Sequence, residues 1–311
     1  MSLVQVSIFC LQMVWSMVDN LIFYSHYGNG DLFLSREFVK EIMTIIPAGN
    51  YYYAHAKNPR MFADIPNLKH TKILDSYKMR SRCAKVGNDI LINTWLGTDS
   101  TFVTPANSCS ILNSYKMYNL ILDTLGVPQL SQPLENYIPT IDYNYFDIEP
   151  VKEFLKNNSS ELVLIANCQA QSAQAENFDM TNIIQRLCDT YKDIVFIATD
   201  PVNVKAPNYI TTGEITKSKD GFDLNELSYL SKFMNLFIGR SSGAQIFAMT
   251  KENCMDARKS FLSFTYRIES AHIIWEEPKI KARICWSNAT EVGTVYSTIC
   301  TVLETSRKKS Q

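Results

Sequence analysis

The chain has 311 residues, of which 46% are hydrophobic and 20% charged, and its net charge is −1. This composition supplies buried cores for two domains of ordinary size and excludes an intrinsically disordered chain. A charge balance this close to neutral also disfavours nucleic acid as the main partner.

The eight cysteines are scattered without a CxxC pair, and only four histidines are present. This pattern predicts no metal site, and isolated thiols are typical of a reducing compartment, so we expect a cytoplasmic protein.

Residues 3–24 carry Asp19 as their sole ionised side chain and approach the length of a membrane span. Polar residues interrupt the stretch, and no basic residue precedes it as in a signal peptide. We predict a packed N-terminal segment, with association at a membrane, peripheral or anchored, as the alternative.

In the first half, apolar runs that end in turn residues predict strands, and apolar residues at helical spacing predict helices. The predicted strands are residues 21–25, 51–54 and 89–95, and the predicted helices are residues 35–46 and 108–125. Four prolines then fall between residues 128 and 150, which suits an extended crossing segment. We place the domain boundary at its end, which gives domains of residues 1–150 and 151–311.

The second half alternates more clearly between strands and helices. The predicted strands are residues 161–166, 193–198, 208–210 and 236–238, and the predicted helices are residues 177–191, 223–231 and 244–250. Asp223 and Glu226 have the spacing of a capping box at the start of the middle helix. Such alternation indicates a parallel sheet with both faces covered, whose ligands bind beyond the carboxyl ends of the strands.

Two glycine turns, one in each half, are the most informative motifs. Each follows a predicted strand and opens a predicted helix, and their sequences are Gly28-Asn29-Gly30-Asp31 and Arg240-Ser241-Ser242-Gly243. Turns of this kind expose unpaired backbone N–H groups at a positive helix end, which suits phosphate or another anion. The pair predicts an α/β chain of two Rossmann-like, doubly wound domains facing a cleft.

The second turn has the residue types of a phosphate site. Gly243 permits close approach of the backbone, and the hydroxyls of Ser241 and Ser242 can donate to phosphate oxygens. Arg240 can pair with phosphate through its planar fork, or can equally bridge to a surface carboxylate.

The loop after residue 166 is a further phosphate candidate, because it places the polar residues Asn167, Gln169 and Ser172 directly after a strand. Neither this loop nor the glycine turns contain the G-x-G-x-x-G pattern of dinucleotide-binding folds. The sequence therefore disfavours a nicotinamide-dependent oxidoreductase.

Asp31 and His26 bring titratable groups to the first turn. At a helix start, Asp31 could simply cap the helix and complement its dipole. It could also act as a general base that deprotonates an acceptor hydroxyl. His26 is a second candidate for proton transfer, although a lone histidine is more often structural.

In combination, these motifs resemble the metal-independent GT-B glycosyltransferases, especially those related to the bacterial heptosyltransferases. The resemblance rests on the strand and polar loop at residues 162–172, the Thr211-Thr212-Gly213 turn, the helix at residues 223–231 and the turn ending in Gly243. The first turn, ending in Asp31, is similar to the family's N-terminal G-x-x-G-D loop. Two departures are visible: Arg240 stands where the family has an acidic residue, and residues 167–172 lack the family's glycine and basic residue.

The resemblance implies an inverting hexosyl- or heptosyltransferase of glycan biosynthesis. It would move a sugar from a nucleotide-diphosphate sugar to a glycan or lipid-linked acceptor, without a metal or other cofactor. The C-terminal domain would bind the donor, with Thr212 and Gly213 near the nucleoside. The N-terminal domain would bind the acceptor at the loop of Gly28 and Gly30, with Asp31 as the base. The alternatives are a sugar-nucleotide 2-epimerase and a GT-B-like binding protein without catalysis.

Overall fold

The computed structural model describes residues 18–78, 81–95, 110–171, 174–266 and 280–310. These residues divide into two compact units, of which unit 1 ends at Tyr137 and unit 2 begins at Ile138. The predicted boundary at residue 150 falls within unit 2, where a helix begins at Glu149. The first turn of a helix tolerates proline, so Pro150 lies inside that helix instead of ending a crossing segment.

Unit 1 is built on a five-stranded sheet with the order β3-β2-β1-β5-β4. Its strands are β1 (Asn20–Tyr24), β2 (Asn50–Ala54), β3 (Leu68–Thr71), β4 (Cys83–Val86) and β5 (Asp89–Asn93). Strand β1 pairs in parallel with β2 and β5, whereas β4 is an antiparallel edge strand. The predicted strands of this half are confirmed, but β3 and β4 were missed because they are largely exposed and lack an apolar run.

The helices of unit 1 begin and end at recognisable signals. They are α1 (Asn29–Leu34), α2 (Arg36–Ile45) and α3 (Ile111–Leu125), with short 3-10 helices at Pro59–Phe62 and Leu134–Tyr137. Helix α3 begins where the Ser110 hydroxyl accepts from the Asn113 N–H at 3.1 Å, and it ends at Gly126, whose φ of 72° suits glycine. Asp31 lies inside α1, so the first glycine turn is shorter than predicted and a helix begins before residue 35.

Unit 2 contains a six-stranded sheet that pairs in parallel throughout. Its strands are β6 (Glu161–Ala166), β7 (Ile194–Ala198), β8 (Tyr209–Thr211), β9 (Leu236–Gly239), β10 (Ser260–Phe264) and β11 (Arg283–Ser287). The order β8-β7-β6-β9-β10-β11 is that of a Rossmann fold, in which the chain winds outward from the first strand on one side and then on the other. The direction of winding therefore changes between β6 and β9.

Helices connect these strands and cover the sheet. They are α4 (Glu149–Lys156), α5 (Thr181–Thr190), α6 (Thr212–Thr216), α7 (Leu224–Ser231), α8 (Gly243–Ala248), α9 (Lys251–Cys254) and α10 (Val292–Ser310), with a 3-10 helix at Tyr143–Tyr145. The core of this unit packs side chains of α5 and α10 against the sheet, including Ile184, Phe196, Ile238 and Ile299. Two units of α/β structure with largely parallel sheets confirm the predicted fold class.

The capping box predicted at Asp223 and Glu226 is wrong. Asp223 precedes α7 without a side-chain bond to that helix, and its carboxylate accepts from the Thr216 hydroxyl at 3.5 Å. The capping box of this region lies one helix earlier, where Thr211 and Glu214 cap the start of α6. Within the described ranges, no helix combines the length and apolar character that crossing a membrane requires. Residues 3–17, on which the membrane question depends, lie outside those ranges.

Candidate functional site

The change of winding direction brings the two predicted phosphate loops of unit 2 together. Strands β6 and β9 are parallel neighbours in which Ala166 lies opposite Gly239, so the loops after them leave the same edge of the sheet. The thiol of Cys168 in the first loop lies 3.0 Å from the hydroxyl oxygen of Ser242 in the second. Crevices at such positions are where open α/β sheets bind their ligands. We call this pair of loops the switch-point loops.

Arg240 holds the two switch-point loops to each other. Its side chain is 2% exposed and donates to the carbonyls of Asn167 at 2.9 Å, of Cys168 at 3.4 Å and of Phe178. The guanidinium also lies 4.5 Å from the centre of the Phe178 ring. Both terminal nitrogens of the Arg240 guanidinium thus donate to main-chain carbonyls, whereas its Nε is buried without a hydrogen-bond partner among the residues that the structure describes.

The Asn167 amide fixes the first switch-point loop to the loop after β7. Its Nδ2 donates to the Asp200 carbonyl at 2.8 Å, and its Oδ1 accepts from the Asp200 N–H at 2.8 Å and the Thr199 hydroxyl at 3.2 Å. Gln169 lies on the same loop with an exposed side chain, whereas Ser172 lies outside the described residues. Of the predicted residues in this loop, Gln169 has the side chain that is open to solvent.

Gln245 sets the shape of the second switch-point loop. This buried amide accepts from the Ser241 N–H at 2.7 Å and donates to the Leu262 carbonyl at 3.1 Å. It supports a φ of 55° at Ser241, a left-handed conformation that serine rarely adopts. The hydroxyl-bearing side chains of Ser241 and Ser242 are buried. The two hydroxyls predicted as phosphate donors are therefore withdrawn from solvent.

Gly239→Ala is expected to disrupt this turn, because no room exists for a side chain at Gly239. An added Cβ would lie 2.9 Å from Gln245 Oε1 and 3.0 Å from the Ala166 Cβ. We expect a loss of about 1–3 kcal/mol in the stability of unit 2, measured by thermal unfolding. The control is Gly293→Ala in the first turn of α10, where an added Cβ meets nothing within 4 Å and alanine favours the helix. Equal unfolding midpoints for the two variants would contradict the packing described for Gly239.

A third group of side chains lies beyond the end of β8. Thr212 is buried and directs its hydroxyl towards the Thr199 carbonyl at 3.5 Å. Gly213 is exposed, and no atom comes within 4 Å of a Cβ built there. Burial raises the pKa of both Asp200 and Asp223. These carboxylates belong to the same edge as the switch-point loops. Asp200 had not been singled out in the sequence, and Asp223 had been predicted only as a helix cap.

Unit 1 has an equivalent edge between β1 and β5. The Thr94 N–H donates to the Tyr24 carbonyl at 3.0 Å and continues the pairing of β5 with β1, and the Ser25 N–H donates to the Ala54 carbonyl of β2 on the other side of β1 at 3.2 Å. The rings of Tyr27 and Trp95 stack with their centroids 3.6 Å apart. The first glycine turn is therefore placed at the point in unit 1 where the strand order reverses. Gly28 directly precedes α1, and Gly30 is the second residue of that helix.

Asp31 is the third residue of α1, and its carboxylate faces back to the helix start. Oδ2 accepts from the Gly28 N–H at 3.1 Å. Burial raises the pKa of Asp31, and the Gly28 N–H, the Asp31 N–H and the Lys57 charge oppose that rise. Asp31 thus caps the helix and is also a desolvated carboxylate, which is a property of general bases.

The structure separates the histidines of unit 1 into two kinds. His26 is exposed, and its Nε2 lies 3.0 Å from the Tyr77 carbonyl, which can only accept. His55 directly follows β2 and is 1% exposed, and burial, followed by the nearby His70, lowers its pKa to about 4. His55 had not been singled out in the sequence, where a single histidine after a tyrosine-rich strand carries no motif. In the described part of the chain, no three His, Cys, Asp or Glu side chains are grouped as metal ligands.

Comparisons with known proteins show which solved structures have a similar fold. No family model and no curated protein matches the sequence. Among solved structures, the glycosyl transferase family 9 protein from Veillonella parvula superimposes with a TM-score of 0.51 at 12% identity, over 90% of each chain. E. coli heptosyltransferase WaaC with ADP gives a TM-score of 0.48 at 10% identity, over 93% of this chain and 98% of that one. E. coli ADP-heptose lps heptosyltransferase II gives 0.47 at 9%, over 93% and 99%.

The fold of the V. parvula structure agrees with the fold that the sequence motifs predicted. At such low sequence identity, the similarity concerns the fold alone. Among these three structures, the conclusion about the fold rests on the V. parvula protein. The chain has the two-unit α/β fold of that glycosyl transferase family 9 structure.

Proposed function

We propose that the chain is an inverting, metal-independent glycosyltransferase that moves a sugar from a nucleotide-diphosphate sugar to the hydroxyl of a glycan or lipid-linked acceptor. Unit 2 binds the donor, and unit 1 binds the acceptor and supplies the base. The observation that carries the proposal is the pair of switch-point loops in unit 2, held at the carboxyl edge of a Rossmann-ordered sheet by Arg240. The fold shared with a glycosyl transferase family 9 protein agrees with it.

The donor diphosphate would lie against the switch-point loops. Gly243 begins α8 directly after Ser242, whose backbone is extended, so the first N–H groups of the helix have no partner within it. Gln169 is exposed on the facing loop and can donate through its amide. Preorganised N–H donors stabilise charge that develops on a leaving group, so they can act on the departing diphosphate without a metal. Gly213, exposed at the start of α6, leaves space for the nucleoside.

In the transfer step, the acceptor oxygen attacks the anomeric carbon from the side opposite the diphosphate. The new carbon–oxygen bond forms as the bond from that carbon to the diphosphate oxygen breaks, and the nucleoside diphosphate leaves with the electron pair. Asp31 takes the proton of the acceptor hydroxyl. A single displacement inverts the anomeric centre. His26 donates from Nε2 to the Tyr77 carbonyl at 3.0 Å, which leaves Nδ1 as the nitrogen that can accept a proton, and this scheme uses Asp31 in its place.

Calorimetric titration with ADP, UDP, GDP and CMP tests the proposal. We expect one nucleoside diphosphate to bind. We expect Asn167→Ala to weaken that binding by about tenfold or more, since the loss of three hydrogen bonds loosens the loop. The matched control is Asn158→Ala, because Asn158 precedes β6 whereas Asn167 follows it. If none of the four nucleotides binds, both the glycosyltransferase proposal and the 2-epimerase alternative are wrong. Conversion of the sugar nucleotide without an acceptor would instead identify an epimerase.

A further inference from the structure

Two aromatic side chains stack at the carboxyl edge of the unit 1 sheet, at the point where the strand order reverses. Tyr27 follows β1 and Trp95 follows β5, and the centroids of their rings are 3.6 Å apart with an angle of 18° between the ring planes. Strands β1 and β5 are parallel neighbours in which Tyr24 lies opposite Asn93, so the residues after them leave the sheet at the same edge. Both stacked side chains are half-buried. We call Tyr27 and Trp95 the aromatic platform.

The backbone of each platform residue is fixed by a side chain two positions earlier. The Ser25 hydroxyl oxygen accepts from the Tyr27 N–H at 3.2 Å, and the Asn93 Oδ1 accepts from the Trp95 N–H at 3.0 Å. Ser25 and Asn93 are each 1% exposed. Side-chain bonds of this kind set the direction of the chain as a backbone turn does. The platform is therefore ordered by the fold itself, so a ligand that binds to it does not have to order it.

The platform lies directly beside Asp31. The N–H from which Asp31 Oδ2 accepts at 3.1 Å belongs to the peptide group that joins Tyr27 to Gly28. Standard backbone dimensions then place the Tyr27 Cα at most about 5.5 Å from that carboxylate oxygen. A flat aromatic surface and a carboxylate are thus presented by the same short loop.

This combination of groups fits the pyranose ring of a sugar. One face of a pyranose ring displays C–H bonds, whose weak positive charge is attracted by the negative face of an aromatic ring. The hydroxyls at the rim of the sugar ring can donate to a carboxylate such as that of Asp31. An alkyl chain would take solvent from the carboxylate without offering it a hydrogen bond, and a phosphate would be repelled by its charge. The neighbouring carboxylate therefore favours a neutral sugar over a lipid chain or a phosphate.

We propose that the aromatic platform binds one neutral pyranose ring of a glycan, with the C–H face of the sugar on the platform and a hydroxyl at Asp31. The identification of this sugar as the acceptor of the transfer rests on the proposed function, and it narrows the acceptor to neutral glycans. The binding of the sugar does not depend on that function, and it can be measured without a donor.

Saturation-transfer difference NMR tests the platform, with the methyl pyranosides of glucose, galactose and mannose as probes. We expect the ring protons on one face of at least one pyranoside to receive the most saturation. Trp95→Leu and Tyr27→Leu are each expected to lower that saturation by about fivefold, because an aromatic face is lost. Trp95→Tyr keeps an aromatic face and is expected to retain about half of the signal or more. The matched control is Tyr52→Leu, which removes a half-buried tyrosine from the middle of β2 and is expected to change nothing.

Sorbitol and hexyl phosphate complete the set of probes. Sorbitol has the hydroxyls of a hexose without the ring, so it is expected to give no face-selective signal. The proposal is wrong if no pyranoside is saturated, if Tyr52→Leu lowers the signal as much as Trp95→Leu does, or if the platform variants affect hexyl phosphate instead of the sugars. Platform-dependent sugar binding by a protein that binds none of the four nucleotides supports the platform and counts against the proposed function alone. Nucleotide binding without any sugar signal counts against the platform alone.

Discussion

Asp31→Asn is expected to lower kcat for sugar transfer by about 10²–10⁴-fold, the usual contribution of a general base. Asparagine keeps an oxygen that can accept from the Gly28 N–H, so the start of α1 is preserved. Its amide cannot take a proton from the acceptor hydroxyl. The substitution therefore separates the two roles that Asp31 has in the structure, as a helix cap and as a base.

The measurement is single-turnover transfer from the nucleotide sugar selected by the titrations, with nucleotide affinity measured in parallel. Affinity is expected to stay within about twofold, because the donor site that we propose lies in unit 2. Asp75→Asn is the control, since it neutralises an exposed aspartate of the same unit. If Asp31→Asn retains wild-type turnover, capping is the whole role of Asp31 and the base must be sought elsewhere.

Arg36→Met is expected to destabilise unit 1 by about 3–5 kcal/mol, because it leaves a buried carboxylate without its cation. Arg36 and Asp64 are 0% and 1% exposed, and Arg36 Nη2 lies 2.5 Å from Asp64 Oδ2. Arg36 Nη1 also donates to the Met61 carbonyl at 2.7 Å. The guanidinium lies 5.6 Å from the ring centres of both Phe33 and Phe62. Hydrogen exchange of peptides from α2 in increasing urea measures the loss within unit 1.

Lys40→Met in the same helix provides the comparison. Lys40 pairs with Glu37 at 2.9 Å, but its side chain is 31% exposed, so its removal is expected to cost less than about 1 kcal/mol. The double variant Arg36→Met with Asp64→Leu removes both charges and should recover much of the lost stability. A single variant as stable as Lys40→Met, or a double variant no better than Arg36→Met, would show that the buried pair is not the source of the effect.

The sequence predicted the elements whose signal is local. Strands β6 and β9 are buried along almost their whole length, which gives continuous apolar runs that can be recognised without a structure. The end of α3 could also be predicted from the sequence, because Gly126 adopts the left-handed conformation that glycine favours. Strand β3, with Lys69 and His70 at its centre, has no such run and joins the sheet through its pairing with β2.

The roles of individual site residues depend on partners that are distant in the chain. Arg240 contacts carbonyls 73 and 62 positions away, at Asn167 and Phe178, and its sequence neighbours give no hint of either. The role of Gln245 could not be predicted either, because the sequence around a single glutamine on a short helix does not indicate its hydrogen bond to the Leu262 carbonyl. The positions of the switch-point loops could be predicted from strand–loop–helix alternation, whereas the hydrogen bonds that shape them could not.

The Arg240 contacts have a consequence for how a ligand would be received. Immobilising a flexible side chain during association costs about 0.5–1.5 kcal/mol, and mobile loops cost more. Here Arg240 already joins the two loops through the carbonyls of Asn167 and Cys168. The loops are therefore ordered when the protein folds, before any ligand binds. Binding to such a preorganised surface should leave the backbone nearly unchanged and should gain affinity through slow dissociation. By joining the two loops, Arg240 would then help to set how long the ligand stays.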